Sequence, residues 1–253
     1  MRRRLDAELV RRDLASSRSE AQHLIAKGRI QIKGLPTPKP ASLVAAETHI
    51  QVVGDGERWV SRGAIKLLAA LEVFPVDLVD KGVLDVGSST GGFTEVALAA
   101  GAKSVVALDV GTAQLHESLR SDPRVISIEK TNFRLVDTAD LAGPFPVVLA
   151  DLSFISLCAV AQQLYAAAAD QADLIVLVKP QFEAGRKEVP RGGVVRDQTT
   201  RERSVGKVIG CLETAGFDPR GLIRSPIEGR DGNVEYLLWL RKDVESLPLE
   251  EPA

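Results

Sequence analysis

From Lys81 to Leu240 the chain alternates short apolar, β-forming runs with stretches of helical period, and no other feature narrows the fold as much. The runs predict strands over Val83 to Val86, Ser104 to Val110, Val125 to Glu129, Val147 to Asp151, Leu174 to Lys179, Leu222 to Ser225 and Val234 to Leu240. Helices are expected between them, notably Phe93 to Ala100, Ile155 to Ala168 and Thr199 to Ala215. Strands and helices in alternation imply an α/β domain with a doubly wound, mostly parallel seven-stranded sheet, whose ligands sit beyond the carboxyl ends of the strands.

The first 60 residues read differently. Leu5, Leu9 and Val10, then Ala21, Leu24 and Ile25, recur at helical spacing, so two short helices are expected. Ser17-Arg18-Ser19-Glu20 has the spacing of a capping box, and Gly28 is placed to end the second helix. Arg29 to Lys33 and Thr48 to Val53 read as short strands, the second closed by a Gly54-Asp55-Gly56 turn, with a proline-rich loop over Leu35 to Pro40. The division expected is a small α+β domain over 1–55, a linker over 56–62, a larger domain over 63–245 and a tail over 246–253.

Charge separates the two parts further. Residues 1–60 carry eleven Lys and Arg against seven Asp and Glu, a net of +4, whereas the remainder is at −6. A basic lobe beside a mildly acidic one implies a polyanion bound through the small lobe, with Arg4, Arg11, Arg18, Lys27 and Arg29 as the phosphate-contact candidates. No apolar run is long enough to span a bilayer, and the start lacks a secretory leader, so a cytoplasmic protein is expected. Cys158 and Cys211 have no CxxC spacing and no neighbouring histidine, so buried free thiols are expected, and no metal site.

Leu84-Asp85-Val86-Gly87-Ser88-Ser89-Thr90-Gly91-Gly92-Phe93-Thr94 joins the first strand of the larger part to its helix. Glycine there admits a sharp turn and close approach of a ligand, and the helix that follows offers free N–H groups. The dinucleotide fingerprint G-x-G-x-x-G is not matched, because three residues separate Gly87 from Gly91. The segment instead resembles the first motif of S-adenosylmethionine-dependent methyltransferases. Asp85, Gly87, Ser88, Ser89, Gly91, Gly92 and Phe93 are then the cofactor candidates, with Asp109 at the end of the second strand placed to accept from ribose hydroxyls.

Four charged residues remain: Asp151 and Lys179 terminate apolar strands, Glu235 opens the last one, and Lys66 lies on the helix before the first. In that order they resemble the Lys-Asp-Lys-Glu tetrad of FtsJ-like 2'-O-ribose methyltransferases. Arg4 to Val10, Ala15 to Ala21 and Gly28 to Gly34 resemble an S4 RNA-binding domain. Joined by Arg58-Trp59-Val60-Ser61-Arg62-Gly63, the combination is similar to the TlyA-type family of ribosomal RNA methyltransferases, also called hemolysins. The resemblance implies a Rossmann-like class I methyltransferase domain behind a small S4 domain. It implies transfer of a methyl group from S-adenosylmethionine to a cytidine ribose in 16S and possibly 23S ribosomal RNA. Ribosomal RNA or ribosomal subunits are the partners, with no obligate protein partner and no need of a membrane. Lys66, Asp151, Lys179 and Glu235 are the implied catalytic set.

Other chemistries fit less well. An exocyclic amino methyltransferase is expected to carry an Asn/Asp-Pro-Pro-Tyr/Phe segment where this chain has Asp151-Leu152-Ser153-Phe154, and a C5-pyrimidine methyltransferase needs a cysteine nucleophile in the cleft. The alternatives kept are a non-enzymatic, RNA-binding ribosome assembly factor and a membrane-active hemolysin. Asp109 and the full tetrad speak against the first, and the lack of a strongly amphipathic basic helix against the second.

Overall fold

The computed structural model describes residues 2–26, 29–32, 35, 38–45, 47–52, 59–185, 188–229 and 231–242. The chain separates into two compact units, 1–58 and 59–253.

In the first unit a short strand β1 (Arg2–Arg4) leads into helices α1 (Leu5–Arg11) and α2 (Arg18–Ala26), followed by strands β2 (Ile30–Ile32), β3 (Leu43–Ala45) and β4 (Ile50–Val52). β1 pairs antiparallel with β3, and β2 with β4. Leu5, Leu9, Ala21, Ile25, Ile30 and Val44 meet in its core. β1 and β3 are elements the sequence does not announce: three consecutive exposed arginines have no apolar period, and their strand exists only because β3 supplies its hydrogen bonds. The capping box forms in altered shape. Ser17 Oγ accepts from the Glu20 amide at 3.2 Å, but the Glu20 carboxylate turns to the amide of Ser16 at 2.5 Å and to its hydroxyl. Gly28 and the Gly54 to Gly56 turn lie outside the described residues.

The second unit opens with α3 (Gly63–Val73) and then alternates: β5 (Gly82–Val86), α4 (Gly92–Ala99), β6 (Ser104–Leu108), α5 (Glu117–Arg120), β7 (Val125–Ile128), β8 (Phe145–Ala150), α6 (Ala161–Ala167), β9 (Ala168–Val178), α7 (Pro180–Glu183), α8 (Gln198–Ala215), β10 (Phe217–Arg224) and β11 (Tyr236–Lys242). The sheet order is β10-β11-β9-β8-β5-β6-β7; only β11 runs against the others. Successive side chains face opposite ways, so Leu84, Val86, Val148 and Val176 meet α6 and α8 on one face, while Val83, Val105, Leu149 and Ile175 meet α3 and α4 on the other. Covered on both faces, these strands can be apolar throughout, which is why they stand out in the sequence. Each such Leu, Ile or Val contributes about 1.5–3 kcal/mol.

Three departures from expectation have local causes. The helix expected from Ile155 is delayed: Leu157–Val160 is a 3₁₀ turn capped by Ser156, and α6 starts only at Ala161. β10 starts at Phe217 and runs through Pro219 and Gly221, which read as strand breakers, because a bulge between them leaves Arg220 outside the register. Cys158 and Cys211 are not free thiols: they form a disulfide, and both are partly exposed. Fifty-three residues apart, they meet because the 3₁₀ turn packs on α8, which spacing rules cannot reveal.

Candidate active site

Gly87 begins the cofactor-type loop with φ +84°, and a Cβ there would stand 2.6 Å from the carbonyl oxygen of Asp151. The loop after β5 is thus pressed against the end of β8, and only glycine allows both the turn and the approach. Gly91 (φ +98°) is closed in by Leu115 and Leu119, and Gly92 by Ser61 and the Ala64 amide. The segment ahead of α3 is held to the same loop: the Val60 amide donates to Glu95 on α4 at 2.6 Å.

A cavity of about 540 Å³ lies at these carboxyl ends. Gly87, Ser88, Ser89, Gly92 and Phe93 line it together with Lys66, Asp151, Lys179 and Glu235. Residues from five separate stretches of sequence therefore meet in one hollow. Lys66, from α3, forms an ion pair with Glu235 at 2.6 Å; Lys179, from the end of β9, forms one with Asp151 at 2.7 Å and donates to Ser153 Oγ at 2.8 Å. Glu235 stands one residue before β11 rather than within it.

The remaining expected residues are distributed around the cavity. Asp109, past the end of β6, accepts from the amides of Ser89 (2.8 Å) and Gly111 (2.7 Å), and shares a small adjoining hollow with Ser88, Gln114 and Glu129. Asp85 lies beneath the loop, fully buried, accepting from Thr94 Oγ1 at 2.6 Å on one oxygen, with no described partner on the other. Burial pushes its carboxyl up to about 7, an effect the Thr94 bond opposes and the neighbouring Asp151 and Asp109 charges reinforce.

In the first unit, Arg4 and Arg18 are bound to Asp6, and Arg11 to Glu8, with all three arginines about half exposed. The Asp6 and Glu8 carboxylates are held well below the usual range by those arginines, Glu8 at about 2. Arg29 is described, its amide donating to Leu24 O, whereas Lys27 lies outside the described residues.

Several residues that line or brace the cavity are not among those the sequence singles out. Phe154 is 91% exposed at φ +64°, and its ring packs on Phe182 with centroids 5.1 Å apart. Glu183, 4% exposed, accepts from Ser156 Oγ and the Leu157 amide and so ties the turn after β9 to the loop after β8. Asn233, also buried, bridges Val195 N and Gly193 O. A signal for the aromatics exists: Asp151 and Lys179, the two strand-ending charges of the tetrad, are each followed three residues on by phenylalanine, as Asp151-Leu152-Ser153-Phe154 and Lys179-Pro180-Gln181-Phe182.

Comparison with known proteins agrees with this architecture. Residues 59–242 match the model of the FtsJ-like methyltransferases, and residues 3–49 that of the S4 domain. The 16S/23S rRNA (cytidine-2'-O)-methyltransferase TlyA of Mycobacterium tuberculosis is 51% identical over 96% of this chain and 91% of its own. YqxC of Bacillus subtilis, named as a candidate rRNA methyltransferase, is 41% identical over 98% and 90%. The solved structure of a hemolysin candidate from Streptococcus thermophilus superposes with a TM-score of 0.74 at 38% identity, over 96% of this chain and 89% of that one. No helix among the described residues is long and apolar enough to cross a membrane. With an FtsJ-like match over most of its length and an S4 match ahead of it, the chain belongs to the FtsJ-like methyltransferase family.

Proposed function

We propose that this protein transfers a methyl group from S-adenosylmethionine to the 2'-hydroxyl of a cytidine ribose in 16S ribosomal RNA, with 23S ribosomal RNA as the further candidate substrate, working in the cytoplasm. Residues 1–55 grip the RNA, 56–62 connect, and 63–245 carry out the transfer. The observation that carries the reading is the pair of ion pairs, Lys66–Glu235 and Lys179–Asp151, lining the same cavity as the glycine loop.

The residues suit the cofactor. The close backbone of Asp151 leaves room for no side chain at Gly87, and Asp109, whose carboxylate accepts from the Ser89 amide of the same loop, is the acceptor assigned to the ribose hydroxyls. Asp85, Ser88, Ser89, Gly91, Gly92 and Phe93 shape or support that cradle. When bound, the cofactor supplies an electrophilic methyl group, and the rest falls to the chain. A ribose hydroxyl is a poor nucleophile at neutral pH, so it needs a base and stabilisation of the charge growing on oxygen. Once the ammonium of Lys179 has released its own proton, its nitrogen, held in place by Asp151 and Ser153, would take the hydroxyl proton while the methyl carbon exchanges its bond to sulfur for one to oxygen and the sulfur leaves as a neutral thioether. Lys66, fixed by Glu235, faces the oxygen. Phe154 and Phe182 present apolar ring faces on which a base can stack at the cavity's edge.

The test is mapping of ribose methylation on ribosomal RNA with and without the protein. A methyl group that protects one cytidine from alkaline cleavage is expected, and none when that nucleotide is 2'-deoxy. Equal methylation of the deoxy target would move the reaction to the base and end this reading.

A further inference from the structure

The acids of the first unit are arranged in a way that RNA binding alone does not require. Asp6 and Glu8, on the first turn of α1, have fully inaccessible side chains, yet they are covered by arginines rather than by the apolar core. Arg4 grips Asp6 side-on through Nε (3.1 Å) and Nη2 (3.0 Å), while Arg18 and Gln22 reach the same carboxylate at 2.9 and 3.1 Å. Arg11 grips Glu8 in the same manner, through Nε at 2.9 Å and Nη2 at 2.6 Å. Arg12 also reaches Glu8, but it is mostly covered and spends its other donors on the carbonyls of Ala45 and Thr48.

A guanidinium is planar and carries five N–H donors. A carboxylate on its Nε/Nη2 edge leaves the Nη1/Nη2 edge directed away from the pair, in the geometry that chelates a phosphate. Arg4 and Arg11, held side-on, each have 48% of the side chain exposed, and Arg18, which meets Asp6 through Nη2 alone, has 57%, so each keeps guanidinium donors beyond those given to the carboxylates. Five arginines (Arg3, Arg4, Arg11, Arg12 and Arg18) against two carboxylates leave this small surface at a formal +3. A free arginine on a surface gives up rotamer freedom each time it meets a phosphate, and one already clamped has given it up beforehand.

We infer that Asp6 and Glu8 are positioning residues for RNA: they lock Arg4, Arg18 and Arg11 so that the outer guanidinium edges form a preset array for phosphodiesters. The inference rests on the assignment of RNA binding to the first unit. It makes a prediction opposite in sign to simple electrostatics, under which removing a negative charge strengthens binding to a polyanion.

The test uses the full chain, 16S ribosomal RNA made by transcription, and affinities measured from about 50 to 300 mM salt. Asp6→Asn keeps the shape but offers one acceptor where two stood, and its amide hydrogens oppose the arginine donors. RNA affinity is expected to fall about tenfold at 100 mM salt despite the added positive charge, and the slope of log K against log salt to flatten by about 0.7–0.9 for each phosphate that the arginines no longer engage. Glu8→Gln should act likewise through Arg11. Far-UV circular dichroism and a melting curve report whether the unit still folds. Unchanged or tighter binding by a folded Asp6→Asn protein overturns the inference, as does failure of both variants to fold, which would assign the carboxylates to the fold itself. An Arg4→Ala/Arg18→Ala double variant separates the two levels: if it binds RNA normally, the assignment of RNA binding to this unit fails. If it binds weakly while Asp6→Asn binds tightly, only the positioning role fails.

Discussion

Both units join cations to carboxylates, but the first hides only the carboxylates and the second hides both partners. In the first, Asp6 and Glu8 are covered and their arginines stand about half in solvent; in the second, both members are withdrawn, with Lys66 11% and Lys179 10% exposed against 3% for Glu235 and 21% for Asp151. The contrast teaches what each surface is for. Half-exposed guanidiniums over buried acids suit an extended polyanion whose many phosphates are met from outside, and salt screens such contacts. Lysines inside a cavity are shielded from salt and act on one atom at a time.

The largest effect should come from the second unit. Lys179→Ala is expected to lower the single-turnover methylation rate by about 10² to 10⁴-fold while leaving RNA affinity nearly unchanged, since a base acts mainly in the transition state. Quench-flow at saturating RNA measures the first, filter binding the second. A loss confined to affinity would erase the difference between the two sets of charges. Next in size is Asp109→Ala, which removes the acceptor proposed for the cofactor ribose and frees the Ser89 and Gly111 amides at once. Calorimetry should show cofactor binding weaker by about 1.5–3 kcal/mol, and an unaltered affinity would take Asp109 out of the site.

A smaller effect sharpens the contrast directly. Raising salt from 50 to 200 mM should weaken RNA binding steeply, yet leave the single-turnover rate at saturating RNA and cofactor within about twofold. Arg11→Ala should reduce the salt slope by about 0.7–0.9, the value of one phosphate, and leave the saturated rate alone. If the saturated rate fell as steeply with salt as the affinity, the cavity lysines would be meeting RNA from solvent too.

How far the sequence discloses all this follows the same division. The sheet was legible because β5, β6, β8 and β9 are covered on both faces and so read as unbroken apolar runs. β1 was not, since Arg2–Arg4 is a strand only through its partner β3, far along the chain. Asp151 and Lys179 could be picked out because charges that end apolar strands point to a cleft, whereas Lys66 and Glu235 stood out only through the resemblance of the four to the Lys-Asp-Lys-Glu tetrad. Their pairing could not, because Lys66 and Glu235 are 169 residues apart and meet only when β11 inserts beside β9. Glu183 and Asn233 are still less visible: buried polar residues in loops, they act through hydrogen bonds to distant backbone. The same is true of the Cys158–Cys211 bond, which depends on α8 folding back over the 3₁₀ turn.

The smallest effect separates the units by pH, with opposite signs. Glu8 is held at about 2 in the folded state against an ordinary 4.5, so what it contributes is fully present above pH 4.5 and lost only as the pH falls toward 2. Asp85 is displaced the other way, to about 7 from 3.8. Between those values the unfolded chain has released the proton that the folded chain still holds, so stability falls as the pH rises through that window and recovers on acidification. Acidifying from pH 8 to pH 5 should therefore stabilise the second unit and leave the Glu8 contribution to the first unchanged. Both tryptophans, Trp59 and Trp239, belong to the second unit, so their fluorescence follows its melting alone. One unit of pKa displacement corresponds to about 1.4 kcal/mol, which in a domain of this size moves the midpoint by about 2–4 °C. The fluorescence midpoint should rise by at least that much between pH 8 and pH 5, and Asp85→Asn, which cannot ionise, should flatten the dependence. A midpoint that stays level or drops on acidification in the unaltered protein would mean that Asp85 is ionised in its burial, and that the carboxylate beneath the cofactor loop is stabilised as an anion like the acids of the first unit.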